Sequence, residues 1–234
     1  MKNVTCIIKT FERPHICQRL VNSIKAKYPQ MKILVADDSK VPQEYKGATT
    51  FKMDFDSGLS AGRNLLVNNV ETKYFVLLDD DWIFDKDTKI EEFVKIHKTT
   101  NVDIIAGVIK GAQHFYGNLR REDHKLFMTG QPYKQGSCFT RCDYTHNFFL
   151  AETEVIKNYP WDDELKLSEH LDFFLRVKGN LNVAYTNKVK VSEKQYRKGT
   201  YGRFRSRNFF KKAMLKNGIT WFKNFKGEIK QFKE

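Results

Sequence analysis

No stretch of this sequence approaches the ~20 uninterrupted apolar residues that a membrane-spanning helix needs. The first residues, Met1-Lys2-Asn3-Val4-Thr5-Cys6-Ile7-Ile8-Lys9, run straight into a short apolar strand pattern, with no hydrophobic leader and no cleavage site. The expectation is a cytoplasmic chain, with peripheral membrane association left open. Cysteine is sparse: four residues, at 6, 17, 138 and 142. Cys138 and Cys142 have no second pair to complete a zinc site, so reduced thiols are expected. No internal repeat or low-complexity stretch interrupts the chain. Acids are scarce in one place: residues 194–234 hold thirteen Lys/Arg against Glu228 and Glu234, and so carry +11 of the net +13. The basic character belongs to the tail and needs its own explanation.

What is present suits one large domain with a short appendage. The chain has 234 residues, 41% of them hydrophobic, with 19 Phe, 10 Tyr and 3 Trp. That is enough apolar material for a packed core. Val4–Lys9 reads as a buried strand, and Pro14 suits a first helical turn. Ile16, Cys17, Leu20, Val21 and Ile24 then form one apolar helical stripe. Strands follow at Lys32–Ala36, Thr49–Met53, Tyr74–Leu78 and Ile104–Ile109. Helices are expected over Ser60–Asn69 and around Ile90, Phe93, Val94 and His97. This alternation predicts an α/β fold, a mostly parallel central sheet with helices on both faces. Ligands in such sheets bind at the carboxyl ends of the strands. Those ends carry Thr10-Phe11-Glu12-Arg13, Asp37-Asp38 and Asp79-Asp80-Asp81.

The aspartate run is the strongest chemical signal. Alternate residues at a strand end point the same way, so Asp79 and Asp81 can face one side together. Hard oxygens on one side suit Mg²⁺ or Mn²⁺ holding phosphate oxygens, and such an ion offsets charge on a departing diphosphate. A solvated acidic turn is the plainer reading. Asp37-Asp38 could supply a carboxylate that accepts from a uracil ring or binds a ribose hydroxyl, or the pair could simply make an Asx-turn. Asp56-Ser57-Gly58-Leu59-Ser60-Ala61-Gly62-Arg63-Asn64 places Gly58 and Arg63 at a helix start that favours an anion, although a plain glycine cap would look the same. Further on, Ser168 is placed to cap a helix with Glu169, His170 and Asp172 near its start. Glu169 is the candidate base for an attacking hydroxyl and Asp172 the reserve, against ordinary first-turn acids. His146 and Asn147 are candidates to line a pocket. Trp82 and Trp161 could stack on a sugar or pack in the core.

Together these segments resemble the GT-A glycosyltransferases, in particular family-2-like enzymes and the animal β-1,4-N-acetylgalactosaminyltransferases. The resemblance spans roughly residues 4–193 and includes Asn147-Phe148-Phe149-Leu150-Ala151 and Ser168-Glu169-His170. It implies an inverting enzyme using a UDP-sugar and Mn²⁺ or Mg²⁺. It implies that Thr10, Phe11 and Arg13 surround the base, that Asp38 holds the uracil, and that Arg63 contacts the nucleotide. Asp79 and Asp81 would be the Asp-x-Asp pair, with Asp81 the closest metal ligand and Asp80 beside them at the nucleotide sugar. Glu169 would stand near the base position. Two departures stand out: Glu193 occupies the place of a metal-binding histidine, and Glu169-His170 replaces a Glu-Asp pair. The Gln-x-x-Arg-Trp pattern of processive polymerases is missing, which points to single-sugar addition.

On this reading residues 1–193 are the catalytic domain and 194–234 a basic, aromatic-rich C-terminal extension. Tyr201-Gly202-Arg203-Phe204-Arg205-Ser206-Arg207 interleaves cations with rings. Such a segment suits an anionic membrane surface near a glycan or lipid-linked acceptor, a nucleic acid acceptor such as a modified DNA base, or a lid in which Arg203 or Arg205 closes over the diphosphate. Two rival functions are a sugar nucleotidyltransferase, whose Gly-rich loop and Lys-Pro signature are missing after Lys9, and an inactive nucleotide-sugar-binding module.

Overall fold

The computed structural model describes residues 1–113, 115–135, 138–194, 200–205 and 207–233. Its first half alternates as the hydrophobic pattern requires. The order is β1 (Val4–Thr10), α1 (Pro14–Lys27), β2 (Lys32–Asp37), β3 (Thr49–Lys52), α2 (Leu59–Asn68) and β4 (Tyr74–Asp79). A two-residue β5 (Trp82–Ile83), α3 (Ile90–Thr99) and β6 (Ile104–Lys110) follow. The second half is richer in strands: β7 (Asn118–Glu122), β8 (Lys125–Thr129), β9 (Lys134–Gln135), β10 (Thr140–Cys142) and β11 (Phe149–Glu152). Next come α4 (Thr153–Lys157), α5 (Glu169–Val177) and the long β12 (Val183–Glu193). The last elements are α6 (Thr200–Arg205), α7 (Phe210–Lys216), β13 (Trp221–Lys223) and β14 (Ile229–Gln231).

Strand periodicity builds the core. Ile7, Phe75, Leu77, Ala106 and Phe149 project into one apolar cluster with α2, α5 and α7. Their neighbours Cys6, Ile8, Val76, Leu78, Ile105 and Leu150 project into another with α1 and α3. Two-sided burial explains why these strands read as continuous apolar runs. In α1 the stripe is Cys17, Leu20, Val21 and Ile24, with Ile16 only partly covered.

The central sheet runs β3-β2-β1-β4-β11-β6-β12-β10-β9, with β5 on β12. It is mixed, not mostly parallel. β3, β2, β1 and β4 are parallel, and so are β6 and β12, but β11 lies antiparallel between β4 and β6. A strand covered on both faces has the same apolar pattern whichever way it runs, so the sequence carried no signal of this reversal.

The C-terminal segment is woven into the same body. β13 pairs parallel with β8 and β14 with β13, completing a four-stranded sheet β14-β13-β8-β7. Ala213, Met214, Ile219 and Phe222 are buried in the cluster that holds Phe149 and Phe174. Burying each large side chain contributes roughly 1.5–3 kcal/mol, which is ample to hold the segment down. Part of its charge is spent within the fold: Arg207 pairs with Asp56, Lys212 with Glu164, and Lys216 with Asp162.

Candidate active site

Parallel pairing puts Thr10 beside Asp37 and Lys9 beside Asp79, so the ends of β1, β2 and β4 open onto one place. A cleft of about 720 Å³ lies there. Thr10, Phe11, Arg13, Asp38, Gly58, Arg63, Asp79, Asp80, Asp81, Glu169, His170 and Glu193 all line it, with His146, Asn147 and Trp82. Asp37 and Asp172 do not.

The three aspartates have unequal surroundings. Asp80 is buried, accepts from the Thr10 hydroxyl at 2.6 Å and is paired with Arg13. It braces the end of β4 instead of presenting its carboxylate to a ligand. Asp81 accepts from Arg13 at 3.1 Å. Burial, then the charges of Asp79 and Asp80, push its carboxyl up to about 6. Asp79 is the most open of the three, with the Arg63 guanidinium 3.5 Å away. The donor chemistry at Asp79 and Asp81 fits a hard divalent ion. Among the described residues, however, no three His, Cys, Asp or Glu side chains gather closely enough to hold one. Arg13 and Arg63 take up the aspartates' charge, and Glu193, beside Trp82 at the end of β12, lines the same cleft without joining a cluster.

Asp37 makes the Asx-turn. It accepts from the Ser39 N–H at 2.9 Å, the Gln43 N–H at 3.0 Å and the Tyr45 hydroxyl at 2.8 Å, and is fully buried. Asp38 reaches the cleft but is held by Lys9 and by the Gly58 N–H at 2.7 Å. Gly58 itself has φ +99°, and a Cβ there would lie 2.6 Å from the Lys166 Cα, so only glycine lets the two loops pass. Lys9, whose Nζ also donates to the Thr10 carbonyl at 2.9 Å, is a site residue that sequence reading missed. A lone lysine at the end of an otherwise apolar strand was the available signal.

Arg63, on α2, is fully buried and bridges Asp79 to Glu169, the first residue of α5. Ser168 occupies the N-cap position with φ +61° but makes no side-chain capping bond, contrary to expectation. Its left-handed backbone turns the chain so that Glu169 faces inward. His170 Nε2 donates to the Thr145 carbonyl. Burial, then the Arg63 charge, pull the imidazole down to about 4, so it is neutral at ordinary pH. Asp172 points the other way, where Asn217 donates to it at 2.7 Å and Arg176 at 2.9 Å. It ties α5 to α7 and is not placed to serve as the reserve base. Trp161 stacks on Phe173 at 4.7 Å in the core.

The C-terminal segment forms one side of the cleft. Tyr201 lies 3.7 Å from the Arg13 guanidinium. Phe204 sits 5.0 Å from Phe11 and 5.5 Å from Phe55. Arg207 donates twice to Asp56, each bond 2.6 Å, and Lys166 adds a third at 3.1 Å. Of the two arginines expected in a lid, Arg203 is exposed, and the Arg205 side chain lies outside the described residues. Part of this arrangement was a legible signal: Tyr201 and Phe204 are three apart on α6, as neighbours on a helix surface are, and Arg207 lies just beyond the helix end.

Residues 5–159 match the family described as Glycosyl transferase family 2. The chain is 32% identical over 249 residues to "Beta-1,4 N-acetylgalactosaminyltransferase 2" of Mus musculus, covering 94% of this chain and 47% of that protein. It is 32% identical over 208 residues to "Beta-1,4 N-acetylgalactosaminyltransferase 1" of Homo sapiens, covering 80% and 38%. It thus spans less than half the length of either relative. Among solved structures it is similar to S. aureus TarS 1-349, with TM-score 0.61 at 14% identity over 82% of this chain and 60% of that one. The same S. aureus protein in complex with UDP gives TM-score 0.60, 14% identity, and 81% and 60% coverage. At that identity the likeness speaks for the GT-A-like fold alone. With two-thirds of its length matching the family, and with this fold around the aspartate-bearing cleft, the chain belongs to glycosyltransferase family 2.

Proposed function

We propose that this chain transfers one hexose or N-acetylhexosamine, with inversion, from a UDP-sugar to a hydroxyl of a glycan or glycolipid. The observation that carries the reading is the buried Arg63, which joins Glu169 to Asp79 across a single cleft. Acids of two kinds thereby sit within reach of one substrate: a carboxylate at the end of β4 for the donor, and a carboxylate at the start of α5 for the acceptor. The N-acetylgalactosaminyltransferase names of the relatives favour an N-acetylhexosamine, and the UDP-bound S. aureus structure favours uridine.

In this mechanism Glu169 accepts the proton of the acceptor hydroxyl as its oxygen attacks the anomeric carbon. The bond from that carbon to the diphosphate breaks, and UDP leaves with the electron pair. Asp79 and Asp81 would hold Mn²⁺ or Mg²⁺, and Glu193, which lines the same cleft apart from them, would have to move toward them to serve as a third donor. The ion would compensate the charge on the leaving diphosphate. Asp81, whose carboxyl is pushed up to about 6 by burial and then by the charges of Asp79 and Asp80, would give up its Arg13 contact to bind such an ion. Arg13 and Arg207 line the cleft and would be the cations available to the diphosphate. Phe11 and Thr10 bound the uracil side, with Asp38 held in place by Lys9. Residues 1–193 supply this chemistry, and 201–207 act as its roof. His170, kept neutral, orients the Thr145 to Asn147 loop on the acceptor side.

The family match favours sugar transfer over nucleotide transfer. The nucleic-acid reading loses support because Arg207, Lys212 and Lys216 are paired with acids of this chain. Among the described residues no helix is long and apolar enough to cross a membrane. Release of UDP from a panel of UDP-sugars, with Mn²⁺ and soluble oligosaccharide acceptors, tests the proposal. The absence of both transfer and donor hydrolysis across the panel would overturn it.

A further inference from the structure

The outward face of the small sheet plays no part in the cleft. Leu119, Leu126, Met128 and Phe222 point from this sheet into the core. Their strand neighbours therefore point away from it. The register lines up Ile229, Lys223, Phe127 and Arg120 in one row across the four strands. The next row is Gln231, Trp221, Lys125 and Glu122. The Phe127 and Trp221 rings are 5.0 Å apart, and the Arg120 guanidinium lies 4.4 Å from the Phe127 ring centre. Ile229 is 54% exposed, and Arg120, Lys125 and Lys223 are exposed beside it. The acid in these rows, Glu122, is neutralised by Arg120.

We propose that this face docks the protein onto an anionic lipid surface. Exposed lysines around an aromatic pair and an aliphatic edge are what a headgroup boundary accommodates: ring and Ile229 at the acyl margin, ammonium groups among the phosphates. The C-terminal segment adds two more exposed lysines, Lys226 in the turn of the β13–β14 hairpin and Lys233 beyond its other end. A single-stranded nucleic acid also combines cations and rings, but it stacks bases on open ring faces. Here Arg120 covers Phe127, and Trp221 is tilted against it by 51°, which leaves no flat platform. Ile229 offers a base nothing. The surface is the reverse side of a sheet, not a groove that tracks a strand. This inference is independent of the sugar-transfer reading and would place that reaction beside a membrane.

The intact chain mixed with phosphatidylcholine vesicles, or with vesicles of phosphatidylcholine and phosphatidylglycerol in equal parts, tests it. Cosedimentation should be at least tenfold stronger with the anionic vesicles and should weaken as salt rises. Trp82 and Trp161 are buried, so a blue shift in tryptophan emission on binding reports Trp221. The double variant Lys223→Glu, Ile229→Ser should bind at least tenfold more weakly with unchanged thermal unfolding. Its transfer to a soluble acceptor should be unaltered, and failure of transfer in the wild type bears on the reaction and not on this face. Equal sedimentation with both vesicle types, no sedimentation with either, or an undiminished double variant would each overturn the proposal. So would oligonucleotide binding, or self-association abolished by Ile229→Ser, in the absence of vesicle binding.

Discussion

The aspartate-bearing half of the cleft and the C-terminal segment facing it are both rich in charge, yet they use it differently. In the first, the ionic groups are buried and mutually satisfied: Lys9 on Asp38, Arg13 on Asp80, Arg63 on Glu169. In the second, pairs such as Arg207–Asp56 and Lys212–Glu164 lie at or near the surface. A buried pair broken on one side leaves an uncompensated charge and costs roughly 3–5 kcal/mol, whereas an exposed pair contributes roughly 0–1 kcal/mol. The first region is thus a rigid framework for chemistry. The second is anchored by its own core residues, and its near-surface pairs can be altered without unfolding the protein.

The largest test of that contrast is catalytic. Glu169→Gln should lower transfer by about 10³-fold, within the usual reach of a general base, while UDP-sugar binding measured by calorimetry stays intact. Full activity in this variant would move the base elsewhere. Arg63→Leu addresses the framework. Removing the cation leaves Glu169 buried and unpaired, so the variant should lose roughly 3–5 kcal/mol in urea unfolding as well as activity. A loss below 1 kcal/mol would mean that this pair behaves like those on the surface.

How much of this was legible in advance follows the same division. The strands read at Val4–Lys9 and Tyr74–Leu78, each one residue short of its observed end, and the α1 stripe were legible because a buried strand and an amphipathic helix impose patterns within a few residues. The gathering of Thr10, Asp38 and Asp79–Asp81 followed from the strand ends. The reversal of β11 was not readable, since its burial pattern has no direction. Nor was the inward turn at Ser168, which depends on one left-handed residue. Asp172 illustrates a different limit: at its place in the helix it could equally have faced the cleft or α7, and its partner Asn217 is 45 residues away. The tail was the least legible, because Arg207, Lys212 and Lys216 looked surplus until Asp56, Glu164 and Asp162 were found opposite them.

A smaller effect comes from pH. The folded imidazole of His170 titrates near 4 against an ordinary value near 6.5, so the unfolded chain takes up its proton first as pH falls. Its contribution is complete above about pH 6.5 and lost progressively toward pH 4, amounting to at most about 3 kcal/mol. His170→Asn should remove that part of the slope in a plot of unfolding free energy against pH. An unchanged slope would assign the acid sensitivity to the carboxylates instead.

The smallest expected effect sharpens the comparison most. If 201–207 is a cover, Arg207→Ala should change thermal stability little, because Arg207 is a third exposed and Asp56 retains Lys166. Donor handling should change more: loss of a charged, bidentate contact at the cleft edge predicts about a tenfold rise in KM for the UDP-sugar with kcat nearly preserved. Asp56→Asn should act similarly if Arg207 works only through that latch. If Arg207 instead leaves Asp56 to meet the diphosphate, the two variants diverge: Asp56→Asn frees the guanidinium and lowers KM, while Arg207→Ala raises it. The double variant then follows Arg207→Ala alone. Opposite signs would make the segment a participant in donor binding, and matching signs would leave it a fixed wall.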